Sequence, residues 1–96
     1  MSKTESKTNN QIILHGNFAH TGFGFSCMRK ASELNLTGHL IYISSSDIDI
    51  YVSGSQKNID TFFKWTKTMK ETTSGKINTT NISINQLNDF KIINTL

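Results

Sequence analysis

The residues with the clearest chemical meaning lie in one stretch, Gly16-Asn17-Phe18-Ala19-His20-Thr21-Gly22-Phe23-Gly24-Phe25, which follows the apolar run Ile12-Ile13-Leu14 and precedes a segment with helical spacing. A strand that ends in a glycine-rich turn and feeds a helix leaves several backbone N–H groups unpaired at the helix N-terminus. The peptide dipoles there also favour negative charge, so the stretch reads as an anion cradle.

The other reactive side chains form no such constellation. His15 and His39 are scattered, and with one cysteine they show no short ligand spacing, so no metal is expected. Cys27 falls on the apolar face of a helical pattern with no adjacent histidine or acid, which reads as core and not as a nucleophile. Asp47 and Asp49 lie in or after a turn and on the open side of a strand, and do not read as a catalytic pair. The serines at 44 to 46 read as the turn itself.

The spacing around the loop resembles that of the acylphosphatase family. Gly16, Gly22, Phe23, Ala31, Leu34, Leu36, Gly38 and Gly54 stand where the family places its G-x-V-x-G-V-G-F-R loop, the alanine and leucines of its first helix, and two later glycines. The match runs without a gap from Gly16 to Gly54 and continues more weakly to Phe90-Lys91-Ile92. The resemblance implies hydrolysis of carboxyl-phosphate mixed anhydrides without metal, cofactor or covalent intermediate. Loop amides and an arginine would bind the phosphoryl oxygens, and an asparagine would orient the attacking water. The physical need is for several preorganised donors, of which a guanidinium is the best single one because it binds two oxygens at once.

Carried over residue by residue, the resemblance assigns the phosphate-binding loop to Ala19, His20, Thr21, Gly22 and Phe23, with Gly22 giving the freedom a tight cradle requires. Counting back seven residues from Ala31 puts the arginine position at Gly24, and counting four on from Gly38 puts the asparagine position at Tyr42. Both catalytic side chains are replaced. Loss of one transition-state donor typically costs about 10²–10³ in rate, and a phenol oxygen stands farther from the backbone than a carboxamide does. Arg29, five residues on, is rotated by about 140° and displaced by roughly 7.5 Å along a helix, so it leaves on another face. Lys30 faces solvent on the same wheel. His20, inside the loop, is the better substitute cation when protonated; its other reading is an exposed loop histidine.

The expected function is an acylphosphatase-like domain that is catalytically impaired or inactive, with anion or phosphate binding kept at the Gly16–Gly24 loop and phosphate or an acyl phosphate as its ligand. One alternative is a divergent active acylphosphatase, with His20 or a distant lysine supplying the charge. A second is a small binding or adaptor module using the sheet face, because folds of this kind host many tasks.

The composition sets bounds on these readings. A chain of 96 residues builds one domain and one core. A single cysteine offers no disulfide framework, which points to a reducing, cytoplasmic setting. Residues 1–10 are polar throughout and read as a disordered tail ahead of a domain at 11–96, with no apolar signal region. The apolar runs are a few residues long against the roughly 20 that a bilayer requires, so no membrane span is expected. The net charge of +3 comes from 10 basic and 7 acidic residues with no adjacent basic run. It reads as a solvated surface; nucleic acid is not expected as a partner, and a monomer is.

The elements follow from the patterning. Gln11 to Phe18 reads as a buried strand. Cys27, Met28, Ala31 and Leu34 recur at helical spacing from Phe25, with Asn35 placed to end the helix in the left-handed conformation. Thr37 to Ser44 reads as a strand. Ile48, Ile50 and Val52, alternating with Asp49, Tyr51 and Ser53, complete a hairpin. Gly54-Ser55 opens a second helix through Ile59, Phe62, Phe63, Thr66 and Met69, with Trp65 on its flank. Thr72 to Gly75 reads as a break, with further strands at Ile82 to Ile84 and Phe90 to Ile93. This order is the α+β ferredoxin-like βαββαβ sandwich, an antiparallel sheet with two helices on one face.

Overall fold

Apolar residues at every second position turn one face of each strand toward the helices. The computed structural model describes residues 8–79 and 90–94. In chain order the elements are β1 (Thr8–Gly16), α1 (Phe23–Glu33), β2 (Thr37–Tyr42), β3 (Asp47–Gly54), α2 (Gln56–Thr68), β4 (Thr72–Thr79) and β5 (Phe90–Asn94). They form one five-stranded sheet in the order β4-β1-β3-β2-β5. The register sets Ile50 between Ile12 and Leu40, and Ile48 between Leu14 and Tyr42. These rows, with Cys27 and Ala31 of α1 and Ile59 and Phe62 of α2, are the core. Each fully buried side chain of this size contributes about 1.5–3 kcal/mol. α1 lies over β5 and β2, α2 lies over β4, β3 and β1, and the two helices touch. The fold is therefore the expected ferredoxin-like sandwich with both helices on one face.

Several features differ from the patterning. β1 starts at Thr8, inside the polar stretch expected to be a tail, because its early residues pair with Gly54, Ser53 and Val52; it ends at Gly16, not Phe18. The rest of the expected tail, residues 1–7, and the expected strand at Ile82 to Ile84 lie outside the described residues. α1 begins at Phe23, two residues early. α2 ends at Thr68, before the Thr72–Gly75 run expected to break it, and that run is the start of β4, since an edge strand draws its hydrogen bonds from its neighbour and needs little propensity of its own. Finally, β5 runs parallel to β2, so the sheet is mixed at that edge, not wholly antiparallel.

The end of α1 shows why the loop after it is short. Asn35 takes a left-handed φ of 56°. Leu36 N–H reaches back to Ala31 O at 2.9 Å, and Asn35 N–H to Ser32 O at 3.1 Å. This is a Schellman closure, with Leu36 and Ala31 both in the core. Among the described residues no helix is long and apolar enough to cross a membrane.

Candidate functional site

The loop at 17–22 joins the centre of the sheet to the start of α1, and backbone bonds pin its first residues. Gly16 N–H donates to Ser46 O at 3.0 Å, Asn17 N–H to Glu71 O at 2.9 Å and Phe18 N–H to Ser45 O at 2.9 Å. A side chain at Gly16 would run into the Glu71 carbonyl, so the strand can approach the neighbouring turn this closely only with glycine there. Phe18 then turns into the core, where its ring meets that of Phe23 at 4.7 Å. Two buried rings thus fasten the ends of the loop beneath it.

Between these rings the backbone bends sharply. His20 and Gly22 both have left-handed φ, 58° and 74°. Thr21 Oγ1 donates to Phe18 O at 2.8 Å and accepts from Phe23 N–H at 3.2 Å. The amides of Ala19, His20, Thr21 and Gly22 meet no acceptor among the described residues. Beyond them, Gly24 N–H donates to Tyr42 Oη at 2.9 Å in a buried contact. The phenol is therefore an acceptor toward the loop. It takes the amide at the position resembling the family arginine.

The two replaced positions thus face each other. A β-carbon on Gly24 would lie 2.8 Å from Tyr42 Oη and 3.2 Å from Ile92 Cδ1. No side chain can grow from residue 24 while Tyr42 keeps this place.

A cavity of about 170 Å³ opens above the contact, lined by Phe18, Ala19, His20, Gly22, Phe25, Tyr42 and Ile92. Of the loop residues singled out in the sequence, Ala19, His20 and Gly22 reach it together with Tyr42. Thr21 and Phe23 do not, because the threonine hydroxyl is spent on the backbone and the phenylalanine is core. Phe18, Phe25 and Ile92 were not anticipated as lining. Phe25, 64% exposed on the first turn of α1, is the one the sequence could have offered; Ile92 arrives only through the pairing of β5. Among the described residues no lysine or arginine lines the cavity. Arg29 and Lys30 line a separate groove with Ser26, Glu33 and Trp65, and Lys30 pairs with Glu33 at 3.7 Å.

The remaining titratable groups sit elsewhere. Burial, with the charge of Glu71 adding to it, pushes the Cys27 thiol well above its usual range, so it stays protonated and inert. Asp47 accepts from His15 Nδ1 at 2.6 Å and from Ser44 Oγ at 3.1 Å, which hold its carboxyl below the usual range. The serine bonds to the carboxylate and not to the imidazole, so the trio has no nucleophile–base contact. Among the described residues no cluster of three or more histidine, cysteine or carboxylate groups is placed to hold a metal.

The model of the acylphosphatase family matches residues 10–92. Among solved structures, the chain is similar to an acylphosphatase from Coxiella burnetii, with 21% identity and a TM-score of 0.80 over 91% of this chain and 93% of that one. It is similar to the acylphosphatase from Bacillus subtilis at 18% identity and a TM-score of 0.79, over 92% and 99%. It also superposes on part of full-length HypF in a phosphate- and nucleotide-bound form, with 23% identity and a TM-score of 0.82, covering 97% of this chain and 12% of that one. At these identities the structural likeness speaks for the fold. No curated protein sequence matches significantly. The family model spans the loop, both helices and the sheet, and the chain belongs to the acylphosphatase family.

Proposed function

We propose that this domain binds a small oxyanion at the 16–24 loop and hydrolyses acyl phosphates poorly or not at all. The carrying observation is the Gly24–Tyr42 contact. An amide at the mouth of α1 is already paired with a phenol, and the side chain that would bring a positive charge has neither an origin nor room. What supports retained binding is the run of amides from Ala19 to Gly22, which meet no acceptor among the described residues. Such amides hold an anion but leave the spread charge of a phosphoryl transition state without a guanidinium partner, worth about 10²–10³ in rate. The same reading takes the domain as a monomer of a reducing, cytoplasmic compartment, in keeping with its single buried thiol.

The test is a benzoyl phosphate hydrolysis assay on the wild type, Gly24→Arg, Tyr42→Asn and the double variant. The expected result is turnover in the double variant at least about 10²-fold above the wild type and both single variants. A wild type as fast as ordinary family members would overturn the proposal. A second reading, a divergent hydrolase, rests on His20, whose left-handed backbone holds it at the rim of the cavity. It requires wild-type turnover, inhibited by inorganic phosphate, that falls when His20→Ala is made.

A further inference from the structure

The face of the sheet away from the helices gathers residues that are far apart in the chain. Register places Gln11, Tyr51, His39 and Lys91 in one row across β1, β3, β2 and β5. Within the row the Tyr51 and His39 rings have centroids 5.1 Å apart and a tilt of 36°. Gln11 Nε2 donates to Tyr51 Oη at 3.1 Å. The tyrosine is therefore held from both sides, by a ring and by a hydrogen bond. Its ordering cost is met in the free protein, which favours whatever stacks on it.

The charges flanking these rings have a definite order. Lys91 ends the aromatic row on β5, and Lys76 ends the neighbouring row on β4, opposite Ile13. Asp49 lies inside that second row, between Ile13 and Ile41. The face thus presents cation, carboxylate and cation across its width, with two rings beside the carboxylate. A central carboxylate repels a phosphate backbone but accepts from base amino groups, such as cytosine N4. Burial holds His39 below the usual imidazole range, so near neutral pH it is an uncharged ring.

We propose that this face binds single-stranded nucleic acid, with one or two unstacked bases lying on Tyr51 and His39 and the flanking phosphates at Lys91 and Lys76. Open sheets with paired aromatic residues suit splayed bases, since every base has a flat face to stack while the strand follows the cations at the edges. A duplex hides those faces and would bring its phosphates onto Asp49. This site is separate from the 16–24 loop and does not depend on it. It revises the expectation drawn from composition, because the row is assembled by strand pairing and no basic run or contiguous motif announces it.

The test uses the full chain and labelled single strands of about 12 nucleotides, as RNA and as DNA, beside a duplex of the same length, followed by fluorescence anisotropy across a salt series. Expected are binding of a single strand in preference to the duplex and a loss of about tenfold or more in Tyr51→Ala with His39→Ala. Tyr51→Phe, which keeps the ring and loses only the Gln11 hydrogen bond, should bind more tightly than the ring-free variant. Lys91→Gln and Lys76→Gln should each lower the slope of log affinity against log salt by about 0.7. Preference for RNA or for DNA identifies the source of the strand, and either supports the proposal. Absence of binding at low salt, preference for the duplex, or full affinity in the ring-free variant would overturn it. If that variant fails to fold, an unchanged salt slope in both lysine variants does so instead.

Discussion

The two helices of this domain begin in opposite ways. α2 closes its own first turn: Ser55, in extended backbone, accepts from Asn58 N–H at 3.2 Å, and Asn58 Nδ2 ties the turn to Leu34 O at 3.0 Å. α1 begins at Gly22, left-handed and without a side-chain cap. Its Gly24 amide is answered by Tyr42, 18 residues along the chain on another strand. One helix start is capped by a side chain three residues away; the other depends on the folded sheet, and among the described residues the four loop amides ahead of it meet no acceptor. The difference teaches that the start of α2 is secured by its own sequence, whereas the start of α1 is secured by a strand residue brought to it by the fold.

The strongest way to break that comparison is a stability cycle at the contact. Gly24→Arg forces a side chain against Tyr42 Oη and Ile92, an overpacking that costs about 1–3 kcal/mol. Tyr42→Asn empties a site only 8% exposed and strands a buried amide, together costing about 3–5 kcal/mol. If the two positions are one device, the double variant loses about 1–2 kcal/mol less than the sum, because each change makes room for the other. Urea unfolding of the four proteins measures this. Additivity within about 0.5 kcal/mol would mean that the positions are independent and that Tyr42 is ordinary core.

A gentler pair of changes sharpens the contrast between local and remote capping. Tyr42→Phe keeps the ring and removes the acceptor, leaving Gly24 N–H buried and unpaired at a cost of about 1–3 kcal/mol. Ser55→Ala removes the cap of α2 at about 1 kcal/mol. Amide hydrogen exchange should show faster exchange at Gly24 with α2 unchanged in the first variant. In the second, faster exchange should be confined to Asn58 and its neighbours. Exchange spreading through both helices in either variant would dissolve the distinction.

These residues also mark what a sequence discloses. The period-two pattern of β3 and the left-handed Asn35 are legible because each is decided within a few residues. The Thr72–Gly75 run misleads because β4 is held by β1 and not by its own propensity. The parallel seating of β5 is a matter of topology and carries no local mark. At the candidate site, positions 24 and 42 stand out singly by their departure from the family pattern. That the phenol of one lies against the backbone of the other requires the packing of α1 over β2. For the same reason Ile92 could not be foreseen beside the cavity.

The smallest expected effect concerns the turn that anchors the loop. Ser45 and Ser46 carbonyls accept from Phe18 and Gly16 N–H, and that turn is braced by Asp47 through His15 Nδ1 and Ser44 Oγ. These partners lower the Asp47 pKa in the folded protein, with the His15 hydrogen bond as the main cause. A carboxyl whose pKa is depressed by folding contributes stability above its unfolded value of about 3.9 and loses it as pH falls through the folded value. The loss therefore belongs below about pH 4, and exposure of the group keeps it small. Because the brace serves β1 and the loop and not Ser55, acid should speed exchange at Gly16 and Phe18 before it touches the first turn of α2. The Asp47→Asn variant should show no such pH step. Equal acid sensitivity of both helix starts would mean that the Ser44–Asp47 turn does not support the mouth of α1.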